Sequence, residues 1–420
     1  MKAVITGLGV AAPNGIGTEA YWAATLAGQS GIGPITFFDA TPYPVRLAGE
    51  VTGLSLAGYI PRKLRAQADH VTHLALAATM MALDDAGVDP AQQSAFDMGV
   101  IAANSSGGIM YGERGLQRLW SQGPAYVSAY MSIACFYAAT AGQISIRHGM
   151  RGPCLILTSE QAGGVDAAGH ARRQVRRGTP LVVTGGTDAS LSPGGLASQI
   201  ATRMLSPCPD PARAYVPFDA AASGYVLGIG GAMLLLESET NARQRGATRI
   251  YGELAGYAAT FDPANGDGEP EGPAEPHDPP RGAGRFSRLG RAAELALADA
   301  QVAPEQVDVV FADAWGRAEL DRAEAEAITG IFGPFGVPVT APKSMTGRLY
   351  AAGGALDLIT ALLAMRDSVL PPTINVTSLA PGCDIDLVTG APREKPVQTA
   401  LVLARGLGGF NAAAVLTSVN

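Results

Sequence analysis

This chain of 420 residues offers few side chains for nucleophilic or acid–base chemistry. It has four cysteines, Cys135, Cys154, Cys208 and Cys383, and five histidines, His70, His73, His148, His170 and His277. A thiolate attacks carbonyl carbon when a helix N-terminus or a nearby cation lowers its pKa. An imidazole exchanges protons near neutral pH. The cysteines are scattered with no CxxC, which excludes a zinc spacing and a disulfide framework and fits a reducing compartment. Cys135 and Cys154 sit in apolar strings and read as packing residues. His70 and His73 lie on an amphipathic helical pattern, where partial burial is a plainer reading than a ligand role. Of the histidines only His277 belongs to the second half, inside a Pro-, Gly- and acid-rich segment. The basic string ARRQVRRG (171–178) is either a solvated helix face or a docking surface.

The elements that must position any site are legible in the apolar pattern. The chain is 47% hydrophobic and only 16% charged, which excludes a disordered protein. A net charge of −7 argues against nucleic acid as a partner. Each apolar stretch is interrupted by Gly, Pro or charge before it could span a membrane. The N-terminal MKAVITGLGVAAPNG reads as a strand from Lys2 to Gly7 rather than a signal peptide, so a cytoplasmic protein is expected. Buried-strand strings recur along the chain: VITGLGV, MGVIAANS, CLILTS, PLVVTGG, GGAMLLLE, RIYGELAGYA, VDVVFADA, VPVTAP, QTALVLAR and AAAVLTSV. Helical patterns such as 70–87 and 290–302 separate them, which predicts an α/β protein. The order is duplicated, and the spacing predicts two halves, 1–246 and 247–420. Residues 262–284 are too rich in Pro, Gly and acid to pack and read as an exposed, mobile loop.

Several strings together resemble the thiolase-fold β-ketoacyl synthases over essentially the whole chain. They are PFDAAASGYVLGIGGAMLLLE (217–237), DRAEAEAI (321–328), PKSMTGRLYAAGGALD (342–357) and GLGGFN (406–411). The resemblance implies two pseudo-repeated βαβαβαββ halves in an α-β-α-β-α layering. It also implies where a catalytic Cys and two His would stand. Here the nucleophile position in TSEQAGG is Gln161, the first histidine position in FADAWGR is Asp313, and the second in TGRLY is Arg348. An amide cannot be acylated as a thiolate can, and an anion and a permanent cation do not reproduce two neutral imidazoles. The family's lysine and glutamate remain as Lys343 and Glu324, and the aromatic of its glycine-rich turn is Leu407. The histidine inventory agrees, since no shift of register recovers a pair in the second half.

Loss at all three positions resembles the chain-length factor of bacterial type II polyketide synthases, a ketosynthase beta subunit. That resemblance implies a heterodimer with an active ketosynthase, an acyl carrier protein as second partner, and a growing polyketide chain that enters a tunnel at the dimer interface. No metal or cofactor is expected on the chain itself; the substrate would ride on the carrier's phosphopantetheine. The expected gate is Ile109, Gly112 and Leu116, spaced with Leu119 on one helical face; core packing is the competing reading of that face. Gly112 leaves room, so a longer polyketide is expected. Residues 126–137 (YVSAYMSIACFY) are expected to form an interface helix carrying Tyr130, Met131, Phe136 and Tyr137. The rival reading is a malonyl decarboxylase built on Gln161, which would need donors for a developing enolate.

Overall fold

A computed structural model describes residues 1–262 and 288–419. The loop read over 262–284 lies, beyond Asp262, outside the described residues, as does His277. All ten strand strings form strands: β1 Ala3–Ala12, β2 Met98–Ala103, β3 Cys154–Leu157, β4 Leu181–Asp188, β5 Gly230–Ser238, β6 Gly252–Phe261, β7 Val309–Phe311, β8 Pro338–Thr340, β9 Thr399–Gly406 and β10 Phe410–Thr417. They join one mixed sheet in the order Asp386–Leu387, β8, β7, β9, β10, β6, β1, β5, β4, β2, β3, with Gly15–Ile16 paired to β1. Read outward from the central β1–β6 pair, each side runs first, fifth, fourth, second, third strand of its own set. The parallel pairs, β2 with β3 and β4, and β7 with β8 and β9, lie toward the two ends of the sheet.

Helices supply the remaining layers. Helices α1 (His70–Asp85) and α3 (Ala139–His148) cover the outside of the first set, with α2 (Ile109–Gln122) between them in sequence. Helix α4 (Gly163–Arg176) follows β3, and α5 (Leu289–Ala300) and α6 (Ala318–Phe332) cover the second set. Helix α7 (Ala351–Asp367) is buried from Ala351 to Met365 and apolar nearly all round, as a central helix must be. It packs on α4 and on strands of both sets, which completes the α-β-α-β-α layering that the resemblance implied.

Two expectations are corrected. The apolar run of β3 predicts a covered strand with Cys154 packed, but Cys154 and Leu155 are exposed because β3 is an edge strand. Residues 126–137 are not one helix. They make a turn at Pro124–Tyr126 and a short helix at Met131–Ala134. Ser128 breaks the run: its hydroxyl accepts the Tyr130 N–H at 3.2 Å, a local bond that competes with helix.

Candidate functional site

Gln161, Asp313 and Arg348 come together beyond the parallel strands. Gln161 ends the turn between β3 and α4, Asp313 follows β7, and Arg348 stands just before α7. Arg348 is fully buried. Its Nη1 lies 3.3 Å from both oxygens of Asp313, and its Nη2 lies 3.3 Å from Glu160 Oε2 and donates to the Arg405 carbonyl. Its guanidinium carbon sits 3.9 Å from the ring centre of Trp315 and 5.6 Å from that of Tyr225. Arg405 reaches Asp313 at 3.3 Å and Glu324 at 2.9 Å. Glu324 accepts the backbone N–H groups of Asp313 and Ala314 at 2.7 and 2.9 Å. Two guanidiniums and three carboxylates thus form one buried network in which each charge faces its opposite.

Gln161 stands beside this network without joining it. Its side chain is wholly buried, and neither amide atom has a partner among the described residues. The amide lies over the backbone of Gly353; a Cβ there would fall 2.2 Å from Nε2, so only glycine leaves room for it. Its backbone N–H donates to Glu160 Oε2 at 2.7 Å.

Burial pushes the Glu160 carboxyl above its ordinary pKa, and Arg348 offsets part of the rise. Burial raises Glu324 likewise, with Arg405 opposing. For Arg348 burial works against the charge, but Asp313 and Glu160 outweigh it and hold the guanidinium well above its ordinary value. Lys343 pairs with Asp357 of α7 at 2.8 Å and donates to the Ala312 carbonyl. Desolvation pushes Asp357 up to about 6 although Lys343 pulls it down. These groups are spent on one another. The network holds no free imidazole and no thiol, and no cluster of His, Cys, Asp and Glu among the described residues could hold a metal ion.

A second feature lies beyond the turn after β2. Ile109, Gly112 and Leu116 of α2 line one groove of about 750 Å³, with Trp120, Cys135 and the helix Pro193–Ala201. Core packing does not describe this face: Ile109 is half-buried, Leu116 is 37% exposed and Trp120 78%. Cys135, read as a packing residue, is half-buried at the groove, close enough for its Sγ to lie 3.0 Å from a Cβ built on Gly112. Tyr130, Phe136 and Tyr137 are exposed, as are Ile133, Ile146 and Leu155. Met131 is instead half-buried, its sulfur turned onto Gly115.

The family models for the beta-ketoacyl synthase N-terminal domain and C-terminal domain match residues 2–242 and 251–377. The chain belongs to the beta-ketoacyl synthase family. This ketosynthase homologue is 55% identical over 414 residues to the tetracenomycin polyketide synthase ketoacyl synthase beta subunit of Streptomyces glaucescens, covering 98% of this chain and 97% of that one. It is 54% identical to the actinorhodin polyketide putative beta-ketoacyl synthase 2 of Streptomyces coelicolor, covering 99% and 98%. The solved ishigamide ketosynthase/chain length factor superposes with a TM-score of 0.87 at 28% identity, covering 100% of this chain and 99% of that one. A type II acyl-carrier protein in complex with its ketosynthase bound to the hexaketide gives a TM-score of 0.86, also at 28% identity, with the same coverage. The tetracenomycin relative is a ketosynthase beta subunit, the type that the sequence resemblance implied.

Sequence reasoning missed Glu160 and Arg405, the residues that complete the network. Both stand next to positions that had been singled out, in TSEQAGG and LARGLGG, and an unbalanced charge in each buried string was the available signal. Other residues of this ketosynthase homologue lie away from the site. His70 packs edge-on to Phe37 at 5.7 Å, and burial lowers its pKa to about 4. In the basic string Arg172 turns inward to Asp299 at 2.6 Å, while Arg173, Arg176 and Arg177 are exposed.

Proposed function

We propose that the chain is the non-catalytic member of a ketosynthase heterodimer and sets the length of a poly-β-ketone chain made by its partner. The observation that carries the reading is the mutual neutralisation of Asp313 and Arg348 beside a wholly buried Gln161. The condensing chemistry then belongs to the partner's thiol and imidazoles. The substrate would arrive on the phosphopantetheine of an acyl carrier protein. Ile109, Gly112 and Leu116 would bound the space open to the growing chain, because a filled groove has no room for another ketide unit. Gly112 presents no side chain there, which favours a longer product. The apolar residues from Leu116 to Leu155 and the open edge of β3 would be covered by the partner. The division into 1–246 and 247–420 is part of the same reading.

The test is co-purification with a co-expressed ketosynthase, followed by intact-mass analysis after exposure to malonyl-loaded carrier protein. Acyl mass on the partner alone supports the reading. Acyl mass on this chain, or carbon dioxide released by this chain alone, would overturn it in favour of an enzyme acting at Gln161.

A further inference from the structure

Three donors converge on a single oxygen of this chain. Glu160 Oε2 accepts the N–H of Gln161 at 2.7 Å and the N–H of Leu407 at 3.2 Å, and Arg348 Nη2 lies 3.3 Å from it. The two N–H groups come from elements distant in sequence, the turn entering α4 and the turn between β9 and β10. Two backbone N–H groups aimed at one point, one of them from the nucleophile position, are the arrangement that stabilises a developing oxyanion in acyl transfer.

The surroundings are shaped to hold this oxygen. Glu160 has a left-handed backbone, φ 53, a conformation that a residue with a side chain adopts only when its neighbours enforce it. Gly406 is what lets the β9–β10 turn close on it: a Cβ at Gly406 would lie 2.3 Å from the Ser159 carbonyl and 3.2 Å from Glu160 Cβ. The buried Gln161 amide takes neither N–H.

We infer that Glu160 is an intramolecular plug: its carboxylate occupies an oxyanion-type anion site of this chain, a site whose ligand class is a small carboxylate or a thioester carbonyl. With the plug in place, a thioester brought to this subunit finds both N–H donors taken. The inference does not depend on what sets product length.

Glu160→Gly tests it, because glycine keeps the left-handed backbone and empties the site. Thermal unfolding of the full-length variant is followed in sodium acetate and in sodium chloride of equal ionic strength. The expected result is a saturating, acetate-specific rise in Tm of the variant, in the millimolar range, absent from the native chain. Glu160→Gln, which leaves an amide oxygen facing the same donors, is expected to show no acetate response. A Glu160→Gly chain that responds to acetate and chloride alike would overturn the inference, as would an equal acetate response from Glu160→Gln. Should Glu160→Gly fail to accumulate folded, its refolding yield in acetate against chloride is the same test: a higher yield in acetate supports the plug, and equal yields overturn it.

Discussion

Arg348 Nη1 lies 3.3 Å from each carboxylate oxygen of Asp313, and neither side chain reaches solvent. The two residues that the resemblance sets at histidine positions are an anion and a cation that satisfy each other. Each also has a second partner, Asp313 in Arg405 and Arg348 in Glu160, so losing either one leaves the rest of the buried network short of one opposite charge.

Arg348→Met is therefore expected to lose about 3–5 kcal/mol, because it removes the ion-pair partner of Glu160 and one of the two partners of the buried Asp313. Urea unfolding measures it. The double variant Arg348→Met with Asp313→Asn is expected to lose less than the sum of the single losses, by about 0.5–3 kcal/mol.

Gln161→Met is expected to be neutral or stabilising. The native amide is buried, and both atoms lack a partner among the described residues; such a group carries a desolvation cost of about 1–3 kcal/mol that a side chain of similar volume avoids. A loss above about 2 kcal/mol in urea unfolding would show that the amide is bonded in the assembled protein.

Groove variants should move product length in opposite directions. Gly112→Leu fills the groove wall, with the flexible Cys135 sulfur as the neighbour that must give way. Its product, read by mass spectrometry from the reconstituted synthase, is expected to lose one or more two-carbon units. Leu116→Ala opens the same wall and is expected to add them.

Ile146→Asp is expected to abolish co-purification with the ketosynthase while leaving the far-UV circular dichroism and Tm of the chain unchanged. Ile146 is an exposed apolar side chain, 77% accessible, so its replacement removes no core contact.

Asp321 gives a pH prediction. It is fully buried, accepts the N–H groups of Phe218 and Gly316, and burial raises it from 3.8 to about 7, with Glu324 adding to the rise and Arg405 opposing it. Between those values the folded state binds more protons than the unfolded state, so stability falls as pH rises through the window. The contribution is full below about 3.8 and lost above about 7. Relative to Asp321→Asn, the native chain is expected to lose stability between pH 5 and pH 8 in matched urea titrations. A constant difference across that range would refute the assignment.

The ten strands could be read from the sequence because strands covered on both faces have near-continuous apolar runs, and no neighbour needs to be known to see them. Strand β3 carries the same kind of run, yet Cys154 and Leu155 are exposed, because position in the strand order is not a local property. The segment 126–137 shows the same limit: its apolar content suggested a helix, while one side-chain bond at Ser128 set its backbone.

The sequence by itself determined the composition of the centre. Under the resemblance, Gln161 offers no thiol, and Asp313 and Arg348 offer no imidazoles, for acyl-enzyme chemistry, and that much follows from residue type alone. Only the tertiary structure decided what those residues do instead. Asp313, Arg348, Arg405 and Glu324 meet because loops after separate strands end in one place, and Glu160 meets Leu407 because Gly406 lets two turns 247 residues apart come into contact. Residue type sets which charges must be neutralised; which partner neutralises each is fixed by distance, and distance between remote segments is a property of the fold.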